Sequence, residues 1–265
     1  MNQPMYYVFV LGPAGSGKSY LTSALVEWLK DHGMDAISVN LDPAAEWLPY
    51  APDVDIRDYI TVTEVMRKYN LGPNGGLIMA VDLTVNYISK IKDEIEEYRP
   101  NYVIVDTPGQ MEIFAFRASG PTIITGLTSG SKSVVIFLID SYLATRPGPL
   151  LSMFFLALSA ALYHRMPQLT VLSKADILPS ETIDRIRNWI ENPELFVQEL
   201  KHDIKALYSY IDVEYLIESF IRPLLSELIP VSAITNAGLD ELYAAIQRIL
   251  AGGEDYLTEE PSEKL

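Results

Sequence analysis

The chain has 265 residues, 49% of them apolar and 21% charged, a balance that suits a globular protein with a full buried core. A formal net charge of −15 and a pI near 4.6 exclude general DNA or RNA binding, which needs many Lys and Arg, but leave room for one phosphate-bearing small ligand at a locally cationic site. Cysteine is absent, which excludes disulfides, thiol nucleophiles and thiolate metal sites and fits a reducing, cytoplasmic setting.

The first residues, MNQPMYYVFVLG, have no basic n-region and soon enter a glycine-rich motif, so no signal peptide is expected. YYVFVLG (6–12) reads as a strand, 19–33 as a helix stopped by Gly33, and DAISVNLD (35–42) as a second strand, the start of a βαβ unit. Residues 43–60, with three prolines, read as irregular. Helices are expected around 61–70 and 77–98. Between them lies GPNGG (72–76), whose Gly, Pro and Asn suit a tight turn. NYVIVDTPG (101–109), KSVVIFLID (132–140) and QLTVLSKAD (168–176) are apolar runs with polar ends, SELIPVSAI (226–234) is a weaker one, and 238–250 reads as a terminal helix.

GPLLSMFFLALSAALY (148–163) falls short of the roughly 18–20 apolar residues that span a bilayer, so a helix buried in the domain is expected, with no membrane association. Residues 180–222 are helical and more polar and read as an inserted cap, and 251–265 as an acidic tail. Continuous apolar strands alternating with helices predict an α/β fold in one domain over 1–250, with a mainly parallel sheet flanked by helices on both faces, plus inserted helices, and the glycine-rich GPAGSGKS at 12–19 makes the expected fold that of a P-loop NTPase.

GPAGSGKS, from Gly12 to Ser19, matches G-x-x-x-x-G-K-[ST] and lies between a predicted strand and helix, the context this phosphate-binding loop requires. Gly15 and Gly17 let the backbone curl around Ser16 so that successive N–H groups point at an anion, and the following helix adds its dipole. Lys18 supplies a charge for the β- and γ-phosphates, and the Ser19 hydroxyl can ligate Mg²⁺. Tyr20 is placed to pack near the sugar or simply within its helix.

VIVDTPGQ puts Asp106 at a strand's C-terminal end, the edge where ligands collect in an open parallel sheet, so it is a candidate Mg²⁺ ligand, direct or through water. DTPG is similar to the D-x-x-G segment of GTPases, in which the N–H of Gly109 would approach the γ-phosphate. Gln110 and Glu112 are candidates for orienting the attacking water, and Asp42 of VNLDPAAE, after another strand, for the same task or an outer metal contact. LSKAD (172–176) resembles the guanine-reading [NT]-K-x-D segment. Asp176 can accept from guanine N1–H and N2–H₂ together, which adenine cannot supply, and the Lys174 stem can lie over the base. Ser173 departs from the Asn of ordinary GTPases. Ser232 and Ala233 resemble the loop whose backbone N–H meets guanine O6.

The order GPAGSGKS, NLDPA, GPN, DTPGQME, SKAD, SA resembles the GPN-loop GTPases over roughly residues 5–250. Their wider relatives are the signal-recognition-particle and MinD class, and a compact chain like this one resembles the archaeal members. The long separation of Lys18 from Asp106 leaves room for the extra helices and the loop between them.

The resemblance implies a homodimer that hydrolyses GTP slowly to GDP and phosphate with Mg²⁺. It also implies that Gly72, Pro73 and Asn74 reach the partner's active site, where the Asn74 amide would contact a phosphate and a water together. Eukaryotic relatives are linked to RNA polymerase assembly and nuclear import, which implies a protein client. No arginine finger is evident, since Arg117 and Arg146 suit surface ion pairs. The competing readings are a nucleotide-gated assembly factor with negligible turnover and a P-loop kinase.

Overall fold

A computed structural model describes residues 5–203, 215 and 228–251. Its centre is a seven-stranded sheet in the order β3-β2-β4-β1-β5-β6-β7, with every pairing parallel. The strands are β1 Tyr6–Leu11, β2 Ala36–Asn40, β3 Val54–Asp55, β4 Tyr102–Asp106, β5 Ser133–Asp140, β6 Gln168–Ser173 and β7 Ile229–Pro230. Strand side chains alternate, so β1 feeds two cores. Tyr7, Phe9 and Leu11 enter one with Val103, Val105 and Phe137, while Tyr6, Val8 and Val10 enter the other with Ile104, Val134 and Ile136.

The second core is covered by α1 Lys18–Asp31 and by the last described helix, α10 Leu239–Leu250. Helices α2 Val62–Tyr69, α3 Pro73–Thr84, α4 Ile88–Tyr98, α5 Met111–Ala115, α6 Ser119–Thr128, α7 Pro147–His164, α8 Ser180–Glu191 and α9 Pro193–Asp203 belong to the first. The fold is thus the parallel, doubly covered sheet that the strand patterning predicts.

Three expectations change. The segment 43–60 is not wholly irregular, because β3 pairs with β2 at its end and a 3₁₀ turn, Ile56–Asp58, follows. The helix expected at 77–98 is two helices joined by a 3₁₀ turn, Val85–Tyr87. GPNGG is not a turn between helices. Gly72 caps α3, Pro73 occupies its first position, where a missing N–H costs nothing, and Gly76 N–H bonds Gly72 O at 2.8 Å to close the first turn. The actual link is Asn70, left-handed at φ 52°, followed by Leu71.

Helices α5 and α6, absent from the sequence reading, lie in the chain connection from β4 to β5. Helix α7 is, by length and composition, apolar enough to cross a membrane. It buries one stripe, Leu150, Phe154, Ala157 and Ala160, and leaves Phe155, Leu162 and Tyr163 exposed, so the expected burial holds for one face. The cap expected at 180–222 is described as α8 and α9 as far as Asp203. The remainder apart from Tyr215, and the tail beyond Ala251, lie outside the described residues.

Candidate functional site

The strand registers bring the predicted motifs to one edge. Val10 pairs with Asp106 and Asn40 with Asp106, so the segments after β1, β2 and β4 emerge side by side. Asp140 pairs with Ser173, which adds the ends of β5 and β6. Thr107 Oγ1 donates to Val10 O at 2.7 Å and locks the end of β4 onto β1.

The loop from Gly12 to Ser19 curls as its glycines permit. Gly15 and Gly17 have φ of 78° and 91°, where a side chain would be strained. A Cβ on Gly12 would stand 2.8 Å from Ser16 Oγ and 2.9 Å from Leu138 O, so only hydrogen fits. Lys18 opens α1 and is buried. Its ammonium donates to Gly12 O (2.9 Å), Pro13 O (3.0 Å) and Gly109 O (3.3 Å). Burial lowers its pKa, while Asp106, Asp42 and Glu112 pull it back up. The cation therefore sits among the three carboxylates proposed for metal and water.

Gly109 is held from both sides. Its carbonyl accepts from Lys18, and its N–H donates to Asp42 Oδ2 at 2.9 Å. The other Asp42 oxygen accepts from Ala44 N at 2.9 Å. The donor expected to meet a γ-phosphate thus meets a carboxylate, an anion of similar hydrogen-bonding character. Asp106 is 1% exposed, and burial pushes its carboxyl up to about 6 against the downward pull of Ser19, Lys18 and Tyr50. Asp106 Oδ1 is buried without a hydrogen bond. A lone buried carboxylate oxygen beside the Ser19 hydroxyl, in an all-oxygen set, suits a hard divalent cation such as Mg²⁺. Gln110 caps α5 and Glu112 lies in its first turn, and both are exposed.

A cleft of about 240 Å³ lies beside the loop, lined by Gly17, Tyr20, Ser173, Lys174, Asp176 and Ala233 among others. Lys174 adopts φ 57°. Its ammonium binds Gly15 O (2.6 Å) and Asp140 Oδ2 (2.7 Å), so its stem passes along Gly17 and ties the cleft to the phosphate loop. Asp176 is exposed at the cleft. Tyr20, 47% exposed, is a cleft wall rather than helix packing and faces the Trp47 ring at 6.3 Å.

The Ser173 hydroxyl is turned away from base recognition: its single proton serves Ser16 O (2.7 Å) or Ile139 O (3.1 Å). It therefore pins the phosphate loop, at the position where the guanine-reading segment of ordinary GTPases carries an Asn. Ser232 Oγ accepts from Thr235 N at 3.1 Å and shapes the turn that presents Ala233.

Two predicted sets stand apart. Gly72, Pro73 and Asn74 are exposed, and among the described residues no hydrogen bond joins their side chains to the phosphate loop. Arg117 is ion-paired with Asp82 at 2.6 Å, as expected of a surface arginine.

The structure also adds residues that sequence reading passed over. Tyr50 OH donates to Asp106 Oδ2 at 3.1 Å, and burial and Asp106 push its phenol pKa up. Asp55 accepts from Asn40 Nδ2 (2.8 Å) and pairs with Arg57, whose Nη1 holds Ala45 O at 2.9 Å. Asp140 carries a signal that was available: it ends an apolar strand just as Asp106 does.

Comparison with known proteins gives these features a setting. A family model described as "conserved hypothetical ATP binding protein" matches residues 10–252. GPN-loop GTPase 1 of Schizosaccharomyces pombe is 31% identical over 265 residues, covering 95% of this chain and 71% of that protein. GPN-loop GTPase 3 of Eremothecium gossypii is 31% identical over 267 residues, covering 97% and 96%. GPN-loop GTPase 1 of Dictyostelium discoideum is 32% identical, and the chain spans only 62% of its length. The apo crystal structure of a GTPase from Pyrococcus abyssi superposes with a TM-score of 0.78 at 30% identity, covering 92% of this chain and 97% of that one. With a family model matching residues 10–252, relatives at 31% identity of which the chain covers 71% and 96%, and a shared fold, the chain belongs to the GPN-loop GTPase family.

Proposed function

We propose that this protein binds GTP with Mg²⁺ and hydrolyses it to GDP and phosphate as a homodimeric switch, in which the Gly72–Pro73–Asn74 corner of each chain completes the partner's site. The observation that carries the reading is the joining of three segments at Gly109. The phosphate-loop Lys18 and the strand-end Asp42 grip its two peptide groups, where a terminal phosphate would be sensed. A γ-phosphate competing for Lys18 and for the Gly109 N–H releases Asp42. The freed carboxylate, with Gln110 and Glu112, is then available to orient water. Ser19 and Asp106 would hold Mg²⁺, which when bound would neutralise phosphate charge. Hydrolysis then rests on positioning and electrostatics supplied by Lys18 and the loop N–H groups.

Guanine rather than adenine is favoured by Asp176. An exposed carboxylate at the cleft is matched by the ring N1–H and the exocyclic N2–H₂ of guanine and left underpaired by adenine. The exposed Asn74 supports a role in trans, because among the described residues no hydrogen bond joins its amide to its own site. A protein client and a cytoplasmic setting remain part of the proposal, with no membrane and no general nucleic-acid partner.

The test is phosphate release from GTP and from ATP, with Mg²⁺ or EDTA, by wild type and by Asn74→Ala. Expected are GTP- and Mg²⁺-dependent turnover, lost in Asn74→Ala with GTP affinity kept. Tight GTP binding without phosphate release would instead favour an assembly factor, and transfer to an acceptor without hydrolysis a kinase.

A further inference from the structure

We propose that Tyr50 is a positioning residue for the metal-binding carboxylate of Asp106, an inference that rests on the reading of Ser19 and Asp106 as the cation site. Asp106 has two oxygens in a nearly dry setting. Oδ2 takes the Tyr50 hydroxyl at 3.1 Å, whereas Oδ1 is buried with no hydrogen bond. An unpaired buried carboxylate oxygen is costly unless some group engages it. The Ser19 hydroxyl also bonds this carboxyl, and the Tyr50 bond engages Oδ2 and leaves Oδ1 over. It fixes the rotation of the carboxylate and leaves one oxygen for a cation, in the way that outer partners orient metal ligands generally.

Tyr50 is itself held by the β2–β3 connection. Asp42 anchors the beginning through Gly109 N and Ala44 N, and Arg57 holds Ala45 O. Asp53 anchors the end through Ser38 N (2.8 Å) and Ser38 Oγ (2.9 Å). The phenol is therefore delivered to Asp106 by a segment clamped on both sides. The same segment carries Asp42, which links the metal carboxylate and the Gly109 contact through one stretch of chain.

The test uses a fluorescent GDP as probe and reads its affinity in EDTA and along a Mg²⁺ titration. Tyr50→Phe removes only the hydroxyl. Expected is a shift of the Mg²⁺ midpoint to about 10–100-fold higher concentration, with affinity in EDTA and the circular dichroism spectrum unchanged. In an Asp106→Asn background, Tyr50→Phe should shift nothing further, since its effect passes through that carboxylate. Tyr50→Met provides a second hydroxyl-free variant with the same expected shift. An unchanged midpoint in either folded variant, or equal losses in EDTA and in Mg²⁺, overturns the proposal. A wild-type protein whose GDP affinity ignores Mg²⁺ overturns the cation site itself, an outcome distinct from the first.

Discussion

Gly75 and Gly76 are neighbours in the first turn of α3, yet adding one methyl to each has opposite consequences. On Gly75 the new Cβ would lie 3.6 Å from Leu71 Cδ2 and 3.7 Å from its Cβ, ordinary contacts. The substitution then gains helix propensity, up to about 1 kcal/mol. On Gly76 the Cβ would stand 2.3 Å from Met66 Cγ and 3.3 Å from its Sδ. Carbon pairs rest at about 3.5–4.0 Å, so Met66 of α2 must retreat by about an ångström or more. Overpacking of that kind costs about 1–3 kcal/mol, which meets or exceeds the same propensity gain. A change of about 1 kcal/mol moves the melting temperature of a domain this size by roughly 2–4 °C. Thermal unfolding at fixed protein concentration should therefore show Gly75→Ala above wild type and Gly76→Ala below it. With Met66→Ala already present, Gly76→Ala should become stabilising. If Gly76→Ala raises the melting temperature as much as Gly75→Ala, the two helices do not meet as described, and the corner that projects Asn74 is not fixed by this contact.

Asp176→Asn should weaken GTP by about 10–150-fold, the worth of charge-assisted hydrogen bonds at roughly 1.5–3 kcal/mol, and narrow its margin over ATP in calorimetric titration. Ser173→Ala strips a buried donor from Ser16 O and Ile139 O, so it should cost about 1 kcal/mol of stability in denaturant unfolding and loosen nucleotide binding through the phosphate loop. Asp106 carries a pKa raised by burial to about 6, so the native state holds this proton more tightly than the unfolded chain. Its contribution is fully present below the unfolded value and is lost as pH rises through about 6, a change on the order of 2–3 kcal/mol. Denaturant unfolding in EDTA should show wild type losing that much relative to Asp106→Asn between about pH 4 and 7, and parallel pH profiles would refute the burial of Asp106.

The strands were legible because a parallel sheet covered on both faces needs unbroken apolar runs, and YVFVL, VIV and VVIFLI are such runs. Strand ends then located Asp42, Asp106 and Asp176, since ligands gather at that edge. β3 escaped because two residues among prolines carry no period, and its pairing with β2 is a long-range choice. Helix α5 is five residues long, too short to show a helical period. GPNGG misled because Pro and Gly punctuate turns in most settings, whereas here Pro73 starts a helix and Gly76 makes room for Met66. Tyr50 was illegible for a different reason. One tyrosine in an irregular stretch gains meaning only when the fold sets its hydroxyl against Asp106. Ser173 shows the reverse limit: its motif was recognised, but the hydroxyl does mechanical work on Ser16 O rather than reading a base.

A site shared between two chains is tested most directly by subunit mixing. Lys18→Ala removes the phosphate cation but keeps the Asn74 corner, and Asn74→Ala does the opposite. Each alone should be nearly inactive in GTP hydrolysis. Mixed in equal amounts and allowed to exchange, they form two-fold dimers of which about half are mixed, each with one complete site, so activity should recover to about a quarter of wild type per subunit. Recovery that falls away on dilution to monomers would agree with this. If mixing restores nothing while dimer exchange is demonstrated, Asn74 serves its own chain or no chain, and the composite site is wrong.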